Sequence, residues 1–263
     1  MTTTNPSAET PAVKQVLHAD LQPLDRQAHK GMRLARQIQQ DYSPARGMNS
    51  LFLTAVEFFD AAREYPIVFV RTSPPQADNE APKEVLPLAV LGLARGENLF
   101  LGADNSWKAS YVPAHLRAYP FAMAQMDDQQ YIICYDKEWS GFSEKEGELL
   151  FSESGEPTEF MQGVQKYLET LDVEVQRTRT VGQKLLELEL LTDMRFDATL
   201  PDGKTIQVDG FLAIDENKFA ALSDEAVLDL HRSGILALIS AQLISMGNMR
   251  RLVERRIAQG AAA

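Results

Sequence analysis

Apolar residues recur along this chain in two rhythms: short β-branched and aromatic runs in the first half, helical spacing in the second. The run Ile67-Val68-Phe69-Val70-Arg71 predicts a strand, because branched and aromatic side chains pack well on a pleated surface. Residues 53–64 predict a short helix that stops ahead of Tyr65-Pro66, since a residue preceding proline avoids the helical region. Residues 72–83, with Pro74, Pro75 and Pro82, predict a surface loop. Two hairpins follow. Residues 85–94 and 98–101 flank Arg95-Gly96-Glu97, and residues 121–125 and 131–135 turn at Asp127-Asp128. Closely connected strands of this kind imply a mostly antiparallel sheet. Upstream, residues 24–40 predict a helix with Leu24, Ala28, Leu34, Ala35 and Ile38 on one side, broken off by Ser43-Pro44 and Gly47.

Near Pro157 the rhythm changes. Phe160, Val164, Tyr167, Leu168, Leu171 and Val175 form the stripe of an amphipathic helix. Only Gly163 and Gly182 interrupt it before Leu191, which leaves one long helix or two stacked pieces open. Residues 196–200 and 205–212 predict a third hairpin around Pro201-Asp202-Gly203. Ser223 has the chemistry of an N-cap for a helix over 224–231, and Gly234 separates that helix from a final one through Ile257. The fold class expected is α+β: a mostly antiparallel sheet from residues 50–140 plus the later hairpin, packed by long helices of the C-terminal half. Residues 1–20 and 258–263 read as tails. The 21–257 body reads as one domain or as two lobes, sheet-rich over 45–150 and helix-rich over 151–257.

Charge narrows the partners. The formal net charge is −11, and residues 144–229 hold 20 acids against 8 bases. A nucleic-acid partner needs a compensating basic face, so that class is excluded. The C-terminal Arg250, Arg251, Arg255 and Arg256 reverse the sign locally, which fits complementation of a helix dipole. The one cysteine, Cys134, sits in an apolar run and reads as core packing. The first residues lack a secretory pattern, and the longest apolar stretches, 85–94 and 235–246, are too short to span a membrane. A cytoplasmic location is the expectation.

No motif declares a chemistry. There is no Gly-x-Ser-x-Gly, no Ser-x-x-Lys and no phosphate-binding glycine loop. His18-Ala19-Asp20 has the lettering of half a facial iron site, whose distal histidine only His115 or His231 would supply. It lies in the expected tail, so no metal and no cofactor are assigned. Asp209-Gly210-Phe211 reads as a bulge or bend within a strand. What remains is an aromatic and charged group: Glu57, Trp107, Tyr111, Arg117 and Tyr119. A carboxylate in the apolar run around Glu57 needs a paired cation or hydrogen bonds, and Arg117 is one candidate partner. A structural ion pair with core aromatics is one reading. A ligand pocket with a few convergent polar groups is the other.

The same segments carry a resemblance. Glu57-Phe58, Tyr65-Pro66-Ile67-Val68-Phe69, Leu86-Pro87-Leu88-Ala89-Val90-Leu91-Gly92-Leu93, Glu97-Asn98-Leu99-Phe100-Leu101 and the Trp107 to Phe121 block resemble the SapC family of bacterial proteins. Gly155-Glu156-Pro157-Thr158, Leu200-Pro201-Asp202-Gly203 and Gly210-Phe211 are similar to the same family, in the same order, across residues 21–248. Leu51-Phe52-Leu53 departs from it, where relatives place Val-Pro-Leu. The resemblance implies surface-layer associations and a peptide-permease label that the lack of a membrane span contradicts; it implies no catalytic residues. A binding or accessory protein, acting through a protein partner or a small molecule and possible as a homo-oligomer, is the leading expectation. An enzyme using Glu57 as base and Arg117 as anion holder is the alternative, and a surface-layer component the third.

Overall fold

Ile67–Arg71, the strand (β4) predicted from its branched and aromatic run, lies at the centre of a five-stranded sheet. The structure, a computed structural model, describes residues 17–35, 41–72, 84–127 and 130–262. The residues expected to form the start of the N-terminal tail, most of the 72–83 loop and the tip of the 121–135 hairpin lie outside the described residues. Preceding β4 in the chain are β1 (Leu21–Pro23), β2 (Arg33–Leu34), β3 (Ser50–Phe52) and helix α1 (Phe58–Ala61). After it come β5 (Val85–Val90), α2 (Ala114–Ala118), β6 (Phe121–Asp127), β7 (Gln130–Asp136), β8 (Phe142–Ser143) and β9 (Glu148–Leu149). Then follow α3 (Glu159–Glu187), β10 (Leu191–Thr199), β11 (Thr205–Ile214), α4 (Glu216–Ala220), α5 (Asp224–Arg232), α6 (Ile235–Ser245) and α7 (Asn248–Ala262).

The class is α+β with antiparallel pairing, but the strands form three sheets rather than one. The large sheet has the order β10-β11-β4-β5-β3, so the late hairpin joins it through Leu212 opposite Phe69. The β6–β7 hairpin forms where predicted and instead takes β1 as its third strand. A small sheet pairs β2 with β8 and β9. The expected hairpin over 85–101 is absent: β5 spends its edges on β4 and β3, leaving Asn98–Leu101 a turn tied back by the Leu99 amide to the Leu91 carbonyl. The expected helix over 24–40 is also replaced. The Asp25 carboxylate caps the amides of Gln27 and Ala28 in a single turn, after which Arg33 and Leu34 are drawn into a sheet; residues 36–40 lie outside the described residues.

In β11, Gly210 has φ +79° opposite a register shift between Met194 and Phe196, which is the bulge read from Asp209-Gly210-Phe211. The final helix breaks at Met246-Gly247 into α6 and α7. Polar side chains at that break grip the main sheet: Ser245 Oγ accepts from the Ile67 amide (2.9 Å), Gln242 Nε2 donates to the Ile67 carbonyl (3.0 Å), and Asn248 Nδ2 donates to the Ala62 and Tyr65 carbonyls. The arginines of α7 lie in its first turn and its middle, not in its last turn, so they do not complement its dipole. Arg251 donates to the Arg63 carbonyl, Arg255 lies over the Phe100 ring at 4.3 Å, and Arg256 pairs with Glu97. They fasten α7 to the body.

Two apolar cores result, and each mixes residues from both halves of the sequence. The larger joins Leu53, Phe58, Tyr65, Phe69 and Phe100 to Leu185, Phe211, Leu230, Ile239 and Leu252. The smaller joins Leu34, Phe121, Tyr135, Trp139 and Leu150 to Met161 and Leu168. The single 29-residue α3, capped by Thr158 accepting from the Met161 amide, serves both: its first half feeds the smaller core and its last turns the larger. At 1.5 Å per residue it is roughly 43 Å long, enough to span the two.

Gly182 marks where α3 meets the large sheet, because a Cβ there would lie 2.6 Å from the Val85 carbonyl oxygen. Gly163, on the same helix, has open space around it. Gly182→Ala is therefore expected to destabilise by about 1–3 kcal/mol through overpacking. Gly163→Ala should gain up to about 1 kcal/mol from helix propensity. Urea denaturation of the two variants checks the opposite signs.

Candidate functional site

The Thr54–Glu57 turn is built around a carboxylate. Glu57 is 3% exposed, and its Oε2 accepts from the Thr54 amide (2.7 Å) and hydroxyl (2.8 Å). Its Oε1 accepts from the Tyr111 hydroxyl (2.8 Å) and from the Ala114 amide (2.7 Å) at the first residue of α2. The Ala55 amide donates to Thr178 of α3, so three segments meet at this turn. The buried charge is thus satisfied by hydrogen bonds rather than by a direct ion pair. Each oxygen already accepts two, which leaves no open lone pair for a substrate proton.

Arg117 lies one hydroxyl away. Its Nη2 is 3.4 Å from the Tyr111 hydroxyl, its Nε donates to the Val112 carbonyl (3.0 Å), and its guanidinium sits 5.7 Å from the centroids of both the Tyr111 and Tyr167 rings. Burial first, and the Glu57 carboxylate second, push the Tyr111 hydroxyl well above its usual pKa, so it stays a donor. Trp107 closes the network from the other end: its indole N–H donates to the Tyr65 hydroxyl (2.8 Å), which in turn donates to the Tyr111 carbonyl. Its ring packs against Phe100 and Tyr42, within the core.

Tyr119 belongs to a different cluster. Its hydroxyl donates to Asp136 (2.9 Å), a buried carboxylate that also accepts from the Ala19 and Asp20 amides. This clasp docks the chain from Leu17 onward against β7. The His18 ring lies 5.2 Å from that of Tyr119, and His115 packs edge-on against Phe52. His18 Nε2 and His115 Nδ1 are buried without a hydrogen-bond partner. Desolvation lowers the pKa of both, opposed by Asp136 at His18 and by Glu57 at His115. Among the described residues, no three His, Cys, Asp or Glu side chains converge as metal ligands.

Between the two clusters lies a cavity of about 540 Å³. Leu116, Phe121, Phe160, Val164, Leu168 and Trp139 form its apolar wall, and Arg117, Tyr119, Tyr167, Tyr42, Asp41 and Glu159 supply polar groups. It lies along the smaller core, at the seam where Leu116 and Tyr42 bring in the edge of the larger one. Of the five residues singled out in the sequence, Arg117 and Tyr119 reach this cavity, while Glu57, Trp107 and Tyr111 stand behind Arg117 and hold it. Sequence reasoning missed Tyr42, Trp139 and Asp136. Tyr167 and Phe160 stood on the α3 stripe, but a stripe does not tell which of its members face a gap.

A family model described as SapC matches residues 24–252 of the chain. No curated protein and no solved structure matches it. No single described helix is long and apolar enough to cross a membrane.

The two histidines give the site a pH dependence with a definite sign. Their folded pKa values lie below the usual 6.5, so below that value the unfolded chain binds protons the folded one does not. Their contribution to stability is complete above pH 6.5 and falls as pH drops through the unfolded value toward the folded ones. Asp136, whose hydrogen bonds outweigh its burial and lower its pKa, loses its share only below the ordinary 3.8. The thermal midpoint should therefore fall between ~pH 7 and ~pH 5, and His18→Gln should flatten that slope. An equal slope in the variant would assign the effect to other groups.

Proposed function

The chain belongs to the SapC family, and we propose that it is a binding protein that takes a small, mostly apolar molecule into the seam cavity. The cavity is the observation that carries this reading. Its volume of about 540 Å³ lies within the range of small-molecule sites, and a largely apolar wall with a few convergent polar groups is their usual character. The family match supplies no reaction, and Glu57, the one buried carboxylate beside Arg117, is fully occupied in holding structure. Binding thus fits the arrangement better than proton abstraction by that carboxylate.

Val164 sits on α3 at the cavity wall, half-buried, where a larger side chain has the void to enter. The neutral dye Nile red should brighten on the wild-type chain and stay dim on Val164→Trp, with the variant's circular dichroism unchanged. Equal brightening on both would remove the cavity as the binding site.

A further inference from the structure

We propose that the molecule held in the seam cavity is an amphiphilic monocarboxylic acid, with its carboxylate on Arg117 and its hydrocarbon or aromatic body against the α3 wall. This rests on the reading of the cavity as a ligand site and names the ligand's class.

Arg117 is oriented by the protein and yet left unpaired. Its Nε is spent on the Val112 carbonyl and its guanidinium is held beside Tyr111 and Tyr167, so the direction of the side chain is set before any ligand arrives. Among the described residues no carboxylate pairs with it; the nearest acid along the network, Glu57, is separated from it by the Tyr111 hydroxyl. Among the described residues Nη1 meets no acceptor, and Nη2 meets only the Tyr111 hydroxyl. That end of the guanidinium is the planar fork suited to two parallel hydrogen bonds with a carboxylate.

The rest of the cavity selects for the body and against higher charge. The hydroxyls of Tyr119 and Tyr167 donate to Asp136 and to the Ala114 carbonyl, so neither competes for a ligand acceptor. Leu116, Phe121, Phe160, Val164 and Leu168 offer apolar surface only. Asp41 and Glu159 line the same cavity as Arg117. With two carboxylates against one guanidinium the lining is net negative, so a dianion such as a phosphate monoester is repelled more than a single carboxylate held on the fork of Arg117.

Isothermal titration of the full chain with octanoate, 1-octanol and octyl phosphate tests this class. Octanoate should bind at least about tenfold tighter than either comparator. Arg117→Gln should bring octanoate down to the level of octanol, whereas Arg117→Lys should keep part of the preference. Val164→Trp should weaken all three. Octanoate and octanol binding alike, an acid preference that survives Arg117→Gln, or tighter binding of octyl phosphate overturns the ligand class while the cavity still binds. Binding insensitive to Val164→Trp, or no binding of any probe, overturns the cavity reading as well.

Discussion

The placement of α2, and with it the candidate site, depends on one buried charge. Glu57 is removed from water without a direct counter-ion, and a carboxylate in that position persists only if both oxygens are saturated with donors. Here the donors come from segments far apart in sequence: the Thr54 amide and hydroxyl, the Tyr111 hydroxyl and the Ala114 amide. The requirement that satisfies the charge also fixes where α2 begins. Once Ala114 is pinned, Leu116 and Arg117 are directed to the cavity, and Tyr111 is held where its ring supports the guanidinium. Arg117 in turn compensates part of the charge through the Tyr111 hydroxyl, without closing into an ion pair.

One long helix, α3, serves both cores and walls the cavity with its first turns. A helix of this length packs Met161 and Leu168 against the hairpin sheet and Leu185 against the large sheet, with close approach to Val85 at Gly182. Phe160, Val164 and Tyr167, in the same first turns as Met161 and Leu168, face the cavity where the smaller core meets Leu116 of the larger. A seam between independently packed cores is a common place for a ligand, because filling it costs neither core its own packing.

Much of this was legible locally. The Ile67–Arg71 strand, the 121–136 hairpin, the late hairpin with its bulge at Gly210, and the Ser223 cap each follow from side-chain chemistry within a short window. What the sequence did not reveal is set by long-range pairing. Strands of the 85–101 region looked like a hairpin because the turn signal at Gly96 is real, yet β5 is enclosed by β3 and β4. Arg33 and Leu34 looked helical until partners more than a hundred residues away, Phe142 and Ser143, claimed them as a strand. Glu57 and Arg117 stand near each other, but Tyr111 lies between them in place of the ion pair that the apolar setting suggested. The interposed Tyr111 was not foreseen, since backbone amides can satisfy a carboxylate as well as a cation can, and amides leave no mark in a sequence. Trp107, grouped with the pocket residues in the sequence, became core because its indole N–H found a partner in Tyr65.

Native-state hydrogen exchange on Glu57→Gln shows whether this buried carboxylate holds α2 in place. The amide replaces an acceptor pair with a donor group facing the Ala114 amide or the Thr54 amide and hydroxyl. Protection at Ala114, Leu116 and Arg117 should drop about a hundredfold, equivalent to about 3 kcal/mol, while the β6–β7 hairpin keeps its protection. Unchanged protection at Ala114, or a uniform loss across the whole chain, would contradict it.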